Sequence, residues 1–206
     1  MKPYCLLLIL LWWAIPLQAE HKQLVVQAKT KRKYPPPSRQ TKEPQRISLA
    51  DFEENPFGYE LSVDYLITRT DANFRLKKEV VANVHNPQRK DTIFSFSNQQ
   101  SKLKIYKSEG NELLFLAVIA DPQIELRNQI KIGMNRKDFM LKFHGLAEHL
   151  NTKGVIEITS SQDDQTYEVS LAPTLVKITN IMGTSDYSFV FKDNALTNIY
   201  INVYLD

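Results

Sequence analysis

"QIKIGMNRKDFMLKFHGL", residues 129–146, is the stretch on which the fold turns. Its first third alternates apolar and polar residues and stops at Gly133, which lets a strand turn sharply because no Cβ opposes a positive φ. Asn135 is a favoured N-cap residue, and Asp138 three positions on approximates the acidic member of a capping box. The carboxylate also complements the positive end of a helix. Phe139, Phe143, Leu146 and Leu150 follow at spacings of four, three and four, one stripe of a helical surface. The spacing predicts a helix over about 135–150, with that stripe laid on a sheet. Gly145 weakens its middle by about 1 kcal/mol relative to alanine and marks where it bends or splits. Attaching a helix to a sheet accounts for every residue of the stretch.

Strand patterns surround it. Tyr59, Leu61, Val63, Tyr65 and Ile67 recur at every second position, which predicts a half-buried strand. "EVVANVH" (79–85) and "TIFSFS" (92–97) flank the turn "NPQRKD", and "KLKIYK" (102–107) and "LLFLAVIA" (113–120) flank "SEGNE". Beyond the helix come "GVIEIT", "TYEVSL", "TLVKIT", "YSFVF" and "LTNIYINVYL", the last two joined by the tight turn "KDNA". On the final strand Ile199, Ile201, Val203 and Leu205 share one face, while Tyr200 and Tyr204 lie on the other, either exposed or beneath a second layer. Short connections throughout predict an α+β class: predominantly antiparallel, curved sheet or sheets, with one substantial helix packed on a sheet face. Residues 47–206 then form a single domain, with 47–127 and 128–206 as possible sub-lobes.

The N-terminal part obeys other rules. "MKPYCLLLILLWWAIPLQA" (1–19) has a positive start, a continuous apolar run from 5 to 15, Pro16 as a breaker and Ala19 as a small residue for cleavage. It reads as a secretory signal peptide with a mature start near Glu20, leaving a periplasmic, outer-envelope or extracellular protein. An uncleaved membrane anchor is the alternative. Cys5, the only cysteine, lies in this leader, so the mature protein has no disulfide, cysteine nucleophile or thiolate metal site. Residues 20–46 carry eight Lys/Arg against two Glu, together with Pro35, Pro36, Pro37 and Pro44. Such a composition buries too little apolar surface to offset its ordering entropy, and predicts a disordered basic arm. Removing leader and arm from the chain's 26 Lys/Arg and 23 Asp/Glu leaves an acidic body with 17 and 21.

Groups able to do chemistry are scattered. His144 and Glu148 are four apart on the expected helix, but two ligands do not make a metal site, and His149 falls on another side. His85 with Asp91 offers an acid–base pair at a turn; capping the strand end is the alternative. The acidic runs "ADFEEN" (50–55) and "SQDDQT" (161–166) lack the ligand alternation of a calcium loop and read as solvated turns. No nucleophile elbow or glycine-rich phosphate loop is present. The arm residues Lys29, Lys31, Arg32, Lys33, Arg39, Lys42 and Arg46 are candidates for binding a polyanion such as lipopolysaccharide, an acidic glycan or anionic lipid. Alternatively they fold onto the acidic side around Asp51, Glu53, Glu54, Glu60 and Asp64, or serve as a solubilising tether. Tyr34 is the arm's lone aromatic, so no stacking platform for nucleic acid exists there.

"IKIGMNRKDFMLKF" (130–143) resembles the strand–Gly–Met–cap–helix element of small envelope proteins, among them the outer-membrane assembly lipoprotein BamE and the β-lactamase inhibitor protein family. The likeness covers about fifteen residues. This chain lacks the lipid-attachment or disulfide cysteines of those families and has a longer array of strands before the element. "NVHNPQRKDTIFSFSNQQSKLKIYKS" (83–108) resembles secreted Bacteroidota proteins of unknown function. The resemblance implies a non-catalytic envelope or partner-binding role and carries over no binding residue. The expectation is an exported, non-enzymatic domain without a cofactor, meeting a protein partner or small ligand through an open sheet face or a hairpin tip. A secreted hydrolase whose site assembles only in the fold, with His85 beside two carboxylates, is the alternative from another class.

Overall fold

The computed structural model describes residues 46–59, 61–68, 73–83, 85–160 and 164–204. Alternation becomes pleat: the strands are β1 (Arg75–Ala82), β2 (Lys90–Ser97), β3 (Lys102–Ser108) and β4 (Asn111–Ile119), then the two-residue pair β5 (Glu125–Leu126) and β6 (Ile130–Lys131), then β7 (Gly154–Thr159), β8 (Thr166–Ala172), β9 (Leu175–Asn180), β10 (Ser185–Lys192) and β11 (Ala195–Val203). Nine of them make one antiparallel sheet in the order β1-β2-β3-β4-β11-β10-β9-β8-β7. Two meanders thus meet where Ile119 faces Ile199 and Ala117 faces Ile201, so strands from 47–127 and from 128–206 share a single sheet. The β10–β11 turn places Asp193 and Asn194 at φ 50° and 66°. Two positive φ values in succession match the twist of the strands that they join.

Two expected elements are corrected. The 135–150 segment is not one helix. α3 spans only Arg136–Met140, capped by Asn135, whose side chain accepts from the Lys137 amide at 2.8 Å. The chain then straightens: Phe143 forms a parallel bridge with Ile47, through Ile47 N–H to Lys142 O and His144 N–H to Ile47 O, both 2.9 Å. Gly145 follows at φ 82°, and Leu146–His149 is a short 3-10 turn. An inserted backbone partner has replaced helical hydrogen bonds, while the burial read from the stripe survives: Phe139, Phe143 and Leu146 are fully buried and Leu150 packs at the margin.

The alternating run from Tyr59 to Ile67 is not a strand either. Ser62 Oγ accepts from the Tyr65 amide at 3.0 Å and caps a six-residue helix, α2 (Val63–Thr68). Val63 and Leu66, three apart, point inward, and Ile67 faces solvent. α1 (Leu49–Glu54) is capped by Ser48 and ends at Asn55, ahead of Pro56. Among the described residues no helix exceeds six residues, whereas β4 and β11 each have nine. The fold is mainly β.

Helices and core share one side of the sheet. Phe94, Phe96, Leu103, Ile105, Ile119, Tyr187, Phe189 and Ile199 are buried there beneath Phe52, Val63, Leu66, Phe139, Met140 and Phe143. The centre is an aromatic knot. Phe139 sits 4.4 Å from Phe189 and 5.3 Å from Phe143, centroid to centroid, and Phe52 stands edge-on to Phe143 at 5.3 Å. Each such ring contributes on the order of 1.5–3 kcal/mol by burial. Gly145 is a point of close approach, since a Cβ there meets Ile158 Cγ2 at 3.0 Å. Gly145→Ala is therefore expected to destabilise by about 1–3 kcal/mol through positive φ and crowding together, read as a lowered urea midpoint. A midpoint equal to wild type would show that the 145 turn relaxes freely.

Candidate functional site

The sheet's other side carries no helix among the described residues, and strand register aligns its side chains in rows. One row runs Lys77, Ser95, Lys104, Leu116, Asn202, Asp186, Thr179, Glu168, Glu157 across all nine strands. The next runs Arg75, Ser97, Lys102, Val118, Tyr200, Ser188, Lys177, Ser170, Val155. Charge is graded along the face. Arg75, Lys77, Lys102 and Lys104 occupy β1–β3 against Glu79 on the same side, and the β4–β11 seam is apolar and aromatic. Glu157 and Glu168 stand opposite each other at the far edge. A like-charge cross-strand pair is unfavourable by itself. Lys104 Nζ also lies 5.8 Å from the Phe115 ring, next to a register shift in the β3–β4 pairing.

Two buried aspartates fix tyrosines on this face. Asp91 accepts from the Tyr106 hydroxyl and, at 2.6 Å, from Asn83 Nδ2. Asp186 accepts from the Tyr204 hydroxyl at 2.7 Å and from Asn202 Nδ2 at 3.3 Å. The Tyr106 hydrogen bond holds the Asp91 carboxyl below its ordinary range. In return the aspartates raise the pKa of both phenols, which remain neutral donors. Tyr200 and Tyr204 are 37% and 53% exposed, so the last strand offers its aromatic side to solvent and not to a second layer.

Glu53 forms a third cluster, on the helix side. Its carboxylate accepts from Tyr167 Oη at 2.7 Å, Asn180 Nδ2 at 2.9 Å, Thr184 Oγ1 at 3.4 Å and Ser185 Oγ. α1 is thereby bolted to β8, β9 and β10. "ADFEEN" is thus helix and anchor, not a solvated turn. Asp51 of the same run is held below the usual carboxylate range, first by the Ser48 hydroxyl, and Arg127 Nη1 donates to the Asp51 carbonyl at 2.6 Å.

Clefts also open among the described residues. A polar one of about 890 Å³ is lined by Asn73, Arg75, Ser97, Asn98, Gln99, Gln100, Asp121 and Gln123, and shares Arg75 and Ser97 with the open face. Asp121 is its one carboxylate, bonded to Asn98 Nδ2 at 3.0 Å and to the Gln123 amide at 2.9 Å. A smaller cavity of about 290 Å³ lies between the α1–α2 loop and β4, β10 and β11.

The candidates read from sequence fall apart in space. His85 lines neither cleft; its backbone N–H donates to Asn83 Oδ1 at 2.9 Å in the turn, while Asp91 is committed to Tyr106 and Asn83. His144 and Glu148 are separated by the Gly145 turn and share no helix, and His149 Nδ1 lies 3.3 Å from Thr152 Oγ1. Among the described residues no three His, Cys, Asp or Glu side chains group as metal ligands. Of the arm candidates only Arg46 is described, in exposed coil. Lys29, Lys31, Arg32, Lys33, Arg39 and Lys42 lie outside the described residues, as do the leader and the first half of "SQDDQT". No described helix is long and apolar enough to cross a membrane.

Fold and surface together define a mainly β domain built on a nine-stranded sheet, with short helices on one side and, among the described residues, none on the other. Comparison with protein families, characterised proteins and solved structures gives no match.

Proposed function

We propose that this chain is an exported, non-enzymatic binding protein whose bare sheet face docks a protein partner with an acidic surface around an apolar patch. One observation carries the reading: an apolar and aromatic seam, with Tyr204 and Tyr106 pinned by buried aspartates, adjoins a half-face bearing four cations. Pinned rings lose little side-chain freedom on association, which lowers the entropic cost of burying them. Lysines and arginine beside the seam select a partner of opposite charge and speed its approach. The strand–Gly–Met–cap–helix resemblance implies a role of the same kind.

The test is site-specific photo-crosslinking in the cells that make the protein, with a photoreactive residue at Leu116, Tyr200 or, as a control on the β9–β10 hairpin tip, Met182. Adducts with one acidic protein are expected at Leu116 and Tyr200, falling about tenfold when Lys102→Glu and Lys104→Glu are combined. Adducts from Met182 alone, or adducts indifferent to charge reversal, would sink the reading. A homodimeric adduct would mean that the face meets a second copy instead.

A further inference from the structure

The 290 Å³ cavity lies on the helix side, away from the docking rows, and has its own chemistry. Leu114, Ile201, Val203 and Tyr187 line it from the sheet, and Phe57, Tyr59 and Leu61 from the loop. The loop wall is held in shape by tilted ring contacts, Phe57 to Tyr59 at 5.8 Å and Tyr59 to Tyr65 at 4.8 Å. Among the described residues the charged side chains of the lining are Glu53, Glu54 and Glu112. Two are already engaged. Glu53 takes the four donors described above, and Glu112 accepts Lys107 Nζ and the Val63 amide, both at 2.6 Å. Burial disfavours the ionised form of Glu112, but that lysine and amide outweigh it and hold its carboxyl below the ordinary range. Glu54 is exposed, with no hydrogen bond or ion pair among the described residues. An apolar recess with aromatic walls, one exposed carboxylate without a described partner and no Lys or Arg among the described lining residues is built for positive charge.

We infer that this cavity binds a small organic cation carrying an apolar body, the ring or chain against Leu114, Ile201 and Val203 and the ammonium at Glu54. Its volume admits a single ring with a short alkylamine. The site does not depend on the docking reading, and its experiment uses neither a partner nor the open face.

Isothermal titration of the exported form compares 2-phenylethylamine with 3-phenylpropionate, equal in bulk and opposite in charge. The amine is expected to bind with a Kd of about 1 mM or tighter, and the carboxylate at least about tenfold more weakly. Glu54→Gln should weaken the amine about fivefold, more at low salt than at high. Leu61→Trp fills the recess from the loop side and should abolish binding, and Val203→Phe should do the same from the sheet side if the first variant fails to fold. No heat from the amine at about 10 mM, equal affinity for amine and carboxylate, or binding that survives either filled cavity would overturn the inference.

Discussion

Truncating Phe139 to alanine is expected to remove about 3–5 kcal/mol of unfolding free energy, measured as a fall in the urea midpoint at unchanged slope. The ring is fully buried and lies within 5.5 Å of three others, Phe189, Phe143 and Phe191. α3 supplies it from a helix of only five residues, too short to persist alone, so the void cannot close by sliding a long helix inward. Phe139→Leu should recover about half of the loss, because it restores volume without the ring edges. A cost below about 1 kcal/mol for the alanine would mean that the aromatic knot is not the centre of the core.

Glu53→Leu is the second large effect, expected at about 3 kcal/mol. The substitution takes this acceptor from Ser185 and leaves Tyr167 and Asn180 to Gln165 Oε1, at 2.7 and 3.3 Å, and a buried donor that loses its acceptor costs about 1–3 kcal/mol. Glu53→Gln keeps the shape and one acceptor oxygen, and should lose about half as much. The two variants separate hydrogen bonding from packing: equal losses would assign the effect to shape alone. Amide exchange in α1 should accelerate more than in β2 or β3, since the carboxylate fastens that helix to β8–β10.

The sheet was largely legible from local sequence. A strand needs only period-two alternation and turn residues at its ends, and "TIFSFS" after "NPQRKD" or "YSFVF" before "KDNA" supply both within a dozen residues. The segments from Tyr59 to Ile67 and from Asn135 to Leu150 misled for a common reason. Apolar spacing reports which side chains are buried more firmly than which backbone carries them. Val63 and Leu66 satisfy a helical spacing, yet Tyr59, Leu61 and Val63 satisfy a strand; Ser62 as a cap decides between them. Phe139, Phe143 and Leu146 are buried as expected, but Ile47, nearly a hundred residues upstream, breaks the helix by pairing with Phe143.

The candidate surfaces were hidden more deeply. Glu53 meets partners 114, 127 and 132 positions away, so no local pattern distinguishes it from Glu54. The rows of the open face exist only once β11 is known to lie beside β4. Tyr200 and Tyr204 were visible as an alternating pair, and their exposure follows from a sheet covered on one side.

That placement of β11 also bears on biogenesis. Strand β4 lies inside the finished sheet, but one of its two neighbours is β11, the last of the described strands, with Ile199 facing Ile119. Until β11 has been made, the first meander exists with a long hydrophobic border open, a template for pairing with strangers. A holdase would therefore matter more here than for a fold closed by sequential neighbours. Clipping the chain before residue 199 should yield inclusion bodies instead of a soluble half-domain.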